Sequence, residues 1–422
     1  MKSTMKLFAG VALALTLSAG AANAQVLFWS TQAKPVEETQ AMREQVLGGF
    51  PGGADYQASD EGPWLTRLQA EIQAGSGTIG VLGALHGDFS SMPDELVDLS
   101  GVDLGGADVN AAYAELGKLG TAEQKYLPWM QATYVMAANK KALEHLPDGV
   151  DVNALTYDQL IEWSKALAEA TGSPKFGFPA GPQGLKHRFF QGFLLPSYTG
   201  SMVTKFRSAE AETAWNAMKE LWSYTNPAST NYAFMQEPLL SEDVWVAFDH
   251  VARLADAFNQ RPDDFVAFPA PAGPAGRGFM PVVAGVAIPS TAPDMDAAKA
   301  LVAYMMQPET QVATLRATNF FPVVAVDLPD DMPASVKASG PAIAAMTGAA
   351  DALPALLPVG LGSLGGRFNQ AYTDTYERIL LAGQDVRTVL DAQANEVRAI
   401  LEEAGAPCWA PDKPSEGACP VE

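Results

Sequence analysis

Along the chain, short apolar runs alternate with longer stretches of helical period. Val26–Trp29 (VLFW) predicts a buried strand, with polar Ser30, Thr31 and Gln32 straight after it. A helix is expected over 34–47. Trp64, Leu65, Leu68 and Ile72 then fall at helical spacing, with Gly75 as the stop. Ile79–Leu85 predicts a second strand, ending in His86-Gly87-Asp88, and 126–139 is rich in β-formers. Thr156 and Gln159 have the spacing of a capping box ahead of a helix whose inner stripe is Leu160, Ile161, Ser164, Leu167 and Ala168. Phe176–Phe178 predicts a short strand and 179–186 a loop. A helix over 208–224 buries Trp215, Met218, Leu221 and Trp222 on one face. Further helices are expected over 296–307 and 386–403. Between them lie an extended piece at 319–324 and a Pro/Gly/Leu-rich segment at 353–366. Strands alternating with helices imply an α/β fold with mostly parallel sheets.

The stretch from Leu240 to Pro289 organises this pattern. It opens on an apolar run carrying Trp245, Phe248 and Asp249 and passes through Pro269–Gly278, which can form neither a helix nor a central strand. It ends in Val282, Val283, Val286 and Ile288, a β-rich run broken by Gly285. A ring, neighbouring polar groups and an open glycine backbone are the parts of a small-molecule cleft. The same pattern also suits a core helix, a loop and a core strand. Polar residues just past the carboxyl ends of parallel strands, here Thr31, Gln32, His86 and Asp88, lie where open α/β sheets bind ligands.

Composition narrows the function. The 422 residues, 48% of them hydrophobic, suffice for two packed cores. A formal charge of −21 argues against nucleic acid and against docking on an anionic bilayer. Lys2 and Lys6, an apolar run over 7–17 and Ala22-Asn23-Ala24 have the order of a secretory signal, with cleavage expected after Ala24. No later run of apolar residues is long enough to span a membrane, so an exported, periplasmic protein is expected. In that oxidising compartment Cys408 and Cys419 are expected to pair, stapling a tail over 405–422.

Catalytic motifs are wanting. Gly360, Gly362 and Gly365 match G-x-G-x-x-G with Asp385 further on, but Pro354 and Pro358 break the strand that should precede a dinucleotide site. His86, His145, His187 and His250 show no metal-ligand spacing, and no G-x-S-x-G elbow or P-loop occurs. Neither cofactor nor metal is expected. A carboxylate pair of a secreted glycoside-active enzyme stays open, because its members need only be close in space.

Several segments together resemble the extracellular solute-binding proteins of ABC importers, the carbohydrate-binding family that includes maltose-binding protein. FWSTQ resembles its first strand, YVMAANKKAL the strand entering the second lobe, and TYDQLIEWSKAL the helix after it. DVWVAFDH resembles the segment presenting a stacking aromatic, and VVAGVAIP with DAAKALVAYMMQPETQ the return strand and its helix. Ala138 stands where the family usually has Tyr, and no glycine precedes Trp245. The resemblance implies two α/β lobes joined by a hinge, over 25–136 with 278–328 and 137–277 with 329–404. It implies no catalysis, a monomer, and a sugar or polyol held between the lobes for a permease in the inner membrane. Residues expected in that cleft are Thr31, Gln32, His86 and Asp88 at strand ends, and Trp129 and Gln131 at the crossover. Gln183, His187, Trp245 and Asp249 would come from the second lobe, with Gly285, Phe320 and Arg367 completing the set. Trp would cover a sugar face while carboxylates, amides and Arg pair with hydroxyls. The histidines with Arg367 would also suit an anionic or sulfonated sugar, and the same fold would admit a polyamine.

Overall fold

A computed structural model describes residues 25–32, 36–90 and 92–422. The leader expected over 1–24 lies outside these residues, as does Lys34 at the start of the first expected helix. Eleven strands form two larger sheets and one small one among the described residues. In the first sheet β1 (Val26–Ser30) lies between β2 (Ala54–Ala58) and β3 (Ile79–Leu85), parallel to both. The sheet continues through β10 (Val282–Ala287) and β4 (Leu127–Ala132), each step antiparallel. In the second sheet β5 (Tyr134–Asn139) lies between β7 (Val246–His250) and β8 (Phe265–Phe268), antiparallel to both, and β6 (Phe176–Gly177) runs parallel to β7. β9 (Arg277–Phe279) pairs in parallel with β11 (Ala352–Pro354). The two-lobed α/β architecture is therefore present with mixed sheets. The crossover strands account for the mixing, since a chain that leaves one lobe and returns must run both ways.

The chain changes sheet at Thr133, between β4 and β5, and returns at Met280–Pro281, between β9 and β10. The two crossings are tied together, because the Thr133 hydroxyl donates to the Met280 carbonyl (2.8 Å). A third passage runs from Phe321, which bridges to Gln131 of β4, to Ser335, whose N–H donates to Asn259 Oδ1 (2.9 Å).

Local sequence explains the elements that frame the cleft between the lobes. Helix Glu61–Ala74 stops at Gly75, whose φ of 66° costs a glycine little. It is pinned across β1 by reciprocal bonds, Trp64 Nε1–H to the Trp29 carbonyl (3.1 Å) and Trp29 Nε1–H to the Trp64 carbonyl (3.3 Å). Burying Trp64 completely contributes about 3 kcal/mol and fixes the helix N-terminus, with Glu61, at the cleft mouth. In the second lobe Phe189 and Phe193 pack edge-on against Phe248, at 4.7 and 4.9 Å between ring centres. With those rings buried, Arg188 on helix Lys186–Phe189 is turned to the cleft. The capping box predicted at Thr156 and Gln159 is present and starts helix Tyr157–Thr171.

Candidate functional site

The strand ends set the site. β1, β3 and β4 all end on the side where the chain crosses at Thr133, and the second sheet meets that side with Tyr134 opposite His250. Two adjoining spaces open there, sharing Leu85, Arg188 and Leu357 as common walls. In the first space, Glu61, Trp64 and Asp88 of one lobe face Arg188, Pro358 and Asn369 of the other. In the second, Gln32, Glu38 and Val282 face Arg188, Arg253 and His250, with Tyr134 and Phe320 at the junction.

Charge is arranged by lobe, with carboxylates on the first and guanidinium groups on the second. Glu38 is only 7% exposed and has no hydrogen bond among the described residues. Its burial, opposed by Arg253 and reinforced by Glu37, holds its carboxyl well above the usual range. Burial, with the negative charge of Glu61 beside it, pushes Asp88 up to about 7, although the Leu85 N–H donates to Oδ2 at 3.0 Å and Arg188 lies near. Glu61 is raised by burial and lowered by Arg188. The Arg188 Nη1–H makes one long bond, to Gln191 Oε1 at 3.4 Å. Arg253 donates from Nη1 to the carbonyls of Gln183 (3.3 Å) and Ala233 (3.1 Å) and stacks over Phe234 at 4.6 Å. Burial depresses His250 to about 3, so its imidazole is neutral. Its Nδ1 accepts from the Ala252 N–H (3.3 Å), which leaves the proton on Nε2.

Of the residues expected in the cleft, the structure brings Gln32, Asp88 and Phe320 to its walls and sets the Thr31 hydroxyl against Asp88. Gln183 sits exposed at the rim and contributes its carbonyl to Arg253. His187 lies among Lys186, Arg188 and Arg253, where burial and these charges hold it neutral.

The structure places the remaining candidates away from these walls. His86 turns inward, its Nδ1 2.8 Å from the Tyr126 hydroxyl, because the ring completes the core under β3. Trp129 is 0% exposed against Phe28. Gln131 is held on β4 by the Tyr113 hydroxyl and by backbone bonds to Phe321. Gly285 is a packing glycine, since a Cβ there would lie 2.1 Å from the Tyr126 ring. Trp245 precedes β7 at the far end from His250, roughly 16 Å away at strand rise. Lys141 and Lys175 cover its ring there. Asp249 is buried and accepts from the N–H groups of Met235 (2.9 Å) and His250 (2.8 Å). Arg367 is exposed and pairs with Glu396 and Glu403, each at 2.8 Å, clasping helix Gly365–Tyr376 to helix Val386–Ala404.

Sequence reasoning missed Glu38, Glu61, Arg188, Arg253, Tyr134 and His250. Glu38 sits in the polar VEETQ start of helix Val36–Ala41, which looks solvated from sequence, and Arg188 in a KHRFF run with no motif. Only the strand-end rule carried a signal, because Tyr134 and His250 flank the crossover strand. Among the described residues no cluster of His, Cys, Asp or Glu has the arrangement to hold a metal. No described helix is long and apolar enough to cross a membrane.

Comparisons with known proteins bear on the fold and the family. The model of the bacterial extracellular solute-binding proteins matches residues 53–312. No curated protein matches by sequence. The GacH receptor of Streptomyces glaucescens, solved free and with acarbose, is 18% identical with a TM-score of 0.68, covering 90% of this chain and 98% of its own. The sugar-binding protein MalE of Xanthomonas citri is 15% identical with a TM-score of 0.69, over 90% and 98%. UgpB of Mycobacterium tuberculosis, solved with glycerophosphocholine, is 18% identical with a TM-score of 0.70, over 90% and 99%. These likenesses describe the fold. The family match spans more than half of the chain, which belongs to the bacterial extracellular solute-binding proteins, a family of binding receptors and not of enzymes.

Proposed function

We propose that this protein captures a sugar or sugar-like solute between its lobes and hands it unchanged to the permease of an ABC importer in the inner membrane, acting as an exported monomer. The observation that carries the reading is the cleft whose walls come from both lobes and meet at Arg188. A ligand touching both walls gains contacts only when the lobes are shut, and so shifts the population toward the closed form. The walls offer what a hydroxyl-rich guest needs. Asp88, Glu61, Gln32 and Asn369 can pair with hydroxyls, and Leu85, Tyr134 and Phe320 give apolar surface to its C–H groups. The neighbours bind solutes of this kind, acarbose in one case and glycerophosphocholine in another. Thr31, Gln32, Asp88 and Phe320 are retained in the proposed site, and Glu38, Glu61, Tyr134, Arg188, His250 and Arg253 are added.

A thermal-shift screen of residues 25–422 with mono-, di- and oligosaccharides, polyols and acidic sugars tests the reading. A true ligand at a hundredfold excess over its Kd adds roughly 2.7 kcal/mol of stability. Absence of any shift across the panel would sink the proposal.

A further inference from the structure

The cleft is not neutral, and its charges are not spread evenly between the two spaces. The second space carries Arg188 and Arg253 with a single carboxylate, Glu38. Neither arginine makes an ion pair within 4 Å among the described residues. Arg253 is already aimed, because its bonds to two carbonyls and its stacking on Phe234 fix the guanidinium plane while using only Nη1. Helix Val251–Gln260 begins at the same wall, with Ala252 lining the space, so its positive end adds to the arginines. Neutral His250 presents its Nε2–H, and its ring is steadied against Tyr134 (5.1 Å) and Phe320 (5.2 Å). Glu38, more than nine-tenths buried, lines the same space without a hydrogen-bond partner among the described residues. Burial shifts it toward its neutral form, the form that leaves both arginine charges uncancelled and can donate a hydrogen bond. The first space has the opposite character, with Glu61 and Asp88 set to accept bonds from hydroxyls.

We infer that the solute is a hydroxyl-bearing acid, whose anionic group docks between Arg188 and Arg253 while its hydroxyl end lies between Glu61 and Asp88. This rests on the solute-binding reading of the cleft. Planar guanidinium forks recognise carboxylate, phosphate and sulfonate oxygens in pairs, which a neutral hydroxyl cannot reproduce. A cationic solute would face two guanidinium groups in the second space, where the one carboxylate is Glu38.

Calorimetric titration of residues 25–422 with a charge-matched panel decides the matter. The probes are glucose and maltose, then glucuronate, glucose 6-phosphate and glycerol 3-phosphate, then glucosamine and inorganic phosphate. The expected result is an acidic probe binding at least tenfold tighter than every neutral one. Arg188→Gln and Arg253→Gln should each weaken it roughly ten- to hundredfold, and Arg188→Lys should weaken it less than Arg188→Gln. Arg188 also counters Asp88 and Glu61, so Arg188→Gln loses stability as well. Arg253→Gln, with its unliganded Tm measured in parallel, separates lost affinity from lost fold. Neutral sugars binding as tightly as the acids, with the Gln variants unaffected, would overturn the anionic assignment and leave solute binding standing. A preference for glucosamine would overturn the assignment too, as would inorganic phosphate binding as tightly as glucose 6-phosphate. If no probe binds, both readings fall.

Discussion

Asp88 carries the clearest residue-level consequence. Burial and Glu61 lift its carboxyl from 3.8 to about 7, so the native chain holds a proton that the unfolded chain has released over that whole interval. A state that binds the extra proton loses relative stability as pH rises. Unliganded stability should therefore fall from roughly pH 4 to 7 through this group and level off above. Asp249, raised to about 6, acts in the same sense. His86 and His250, depressed to about 4 and about 3, act oppositely, contributing stability above 6.5 that is lost as pH falls toward those values. The Asp88→Asn variant isolates the first effect, because Asn still accepts from the Leu85 N–H. Its Tm should decline less between pH 5 and 7 than that of the wild type, and parallel profiles would show that Asp88 titrates normally. Trp245 gives a second test. Its removal should cost roughly 2 kcal/mol of stability, as for a partly buried aromatic, and leave ligand affinity unchanged, because the ring lies at the far end of its strand. Strand-end residues such as Gln32 and Asp88 were legible because period and topology place them. The direction in which Trp129 or His86 points depends on partners, Phe28 and Tyr126, that no spacing rule reveals.

Strands and strongly periodic helices were legible to within a residue or two, as with β1, β3 and helix Val386–Ala404. Helix Ala334–Thr347 was not, since Gly340 and Pro341 sit inside it and remove its local signal, while Val336, Ile343 and Met346 bury one face through tertiary packing. The tail was read as a staple for itself alone, and here the structure adds a link. Cys408 and Cys419 are bonded across eleven residues. The Ala410 carbonyl between them accepts from the Leu356 N–H (2.9 Å), next to cleft residues Leu357 and Pro358, and Gly360 packs on Ala406 and Pro407. Asp412 fastens the same tail to the turn at 201–204, accepting from the N–H groups of Met202, Val203 and Thr204 at 2.8–3.0 Å. The double variant Cys408→Ser, Cys419→Ser should therefore lose up to about 3 kcal/mol in chemical denaturation. It should also bind ligand several-fold more weakly in calorimetry. Full affinity in a destabilised variant would mean that the tail braces the lobe but not the cleft.

At the scale of the whole molecule the two lobes meet through the 355–362 loop as well as through charge. The Gly360 N–H donates to the Ser90 hydroxyl at 2.7 Å, and Gly87 lies so close to Pro358 that a Cβ would stand 2.3 Å from its carbonyl oxygen. Both contacts join the first expected lobe to the second at the edge of the first space, so an opening of the cleft there would have to break them. Backbone lies on both sides of the Gly87 contact, and no side chain can rotate away to relieve it. A methyl group at 87 must push the lobes apart by about an ångström, at a cost on the order of 1–3 kcal/mol to the closed form. Gly87 lies on the cleft wall, outside the packed sheets of either lobe. Gly87→Ala should accordingly leave thermal stability nearly unchanged, enlarge the radius of gyration of the unliganded protein in solution scattering, and weaken ligand about tenfold by the fall in closed population. Saturating ligand should restore the compact profile. If scattering is unchanged, the loop has moved instead of the lobes, and faster amide exchange at Gly360 without loss of affinity would show that closure does not depend on this contact.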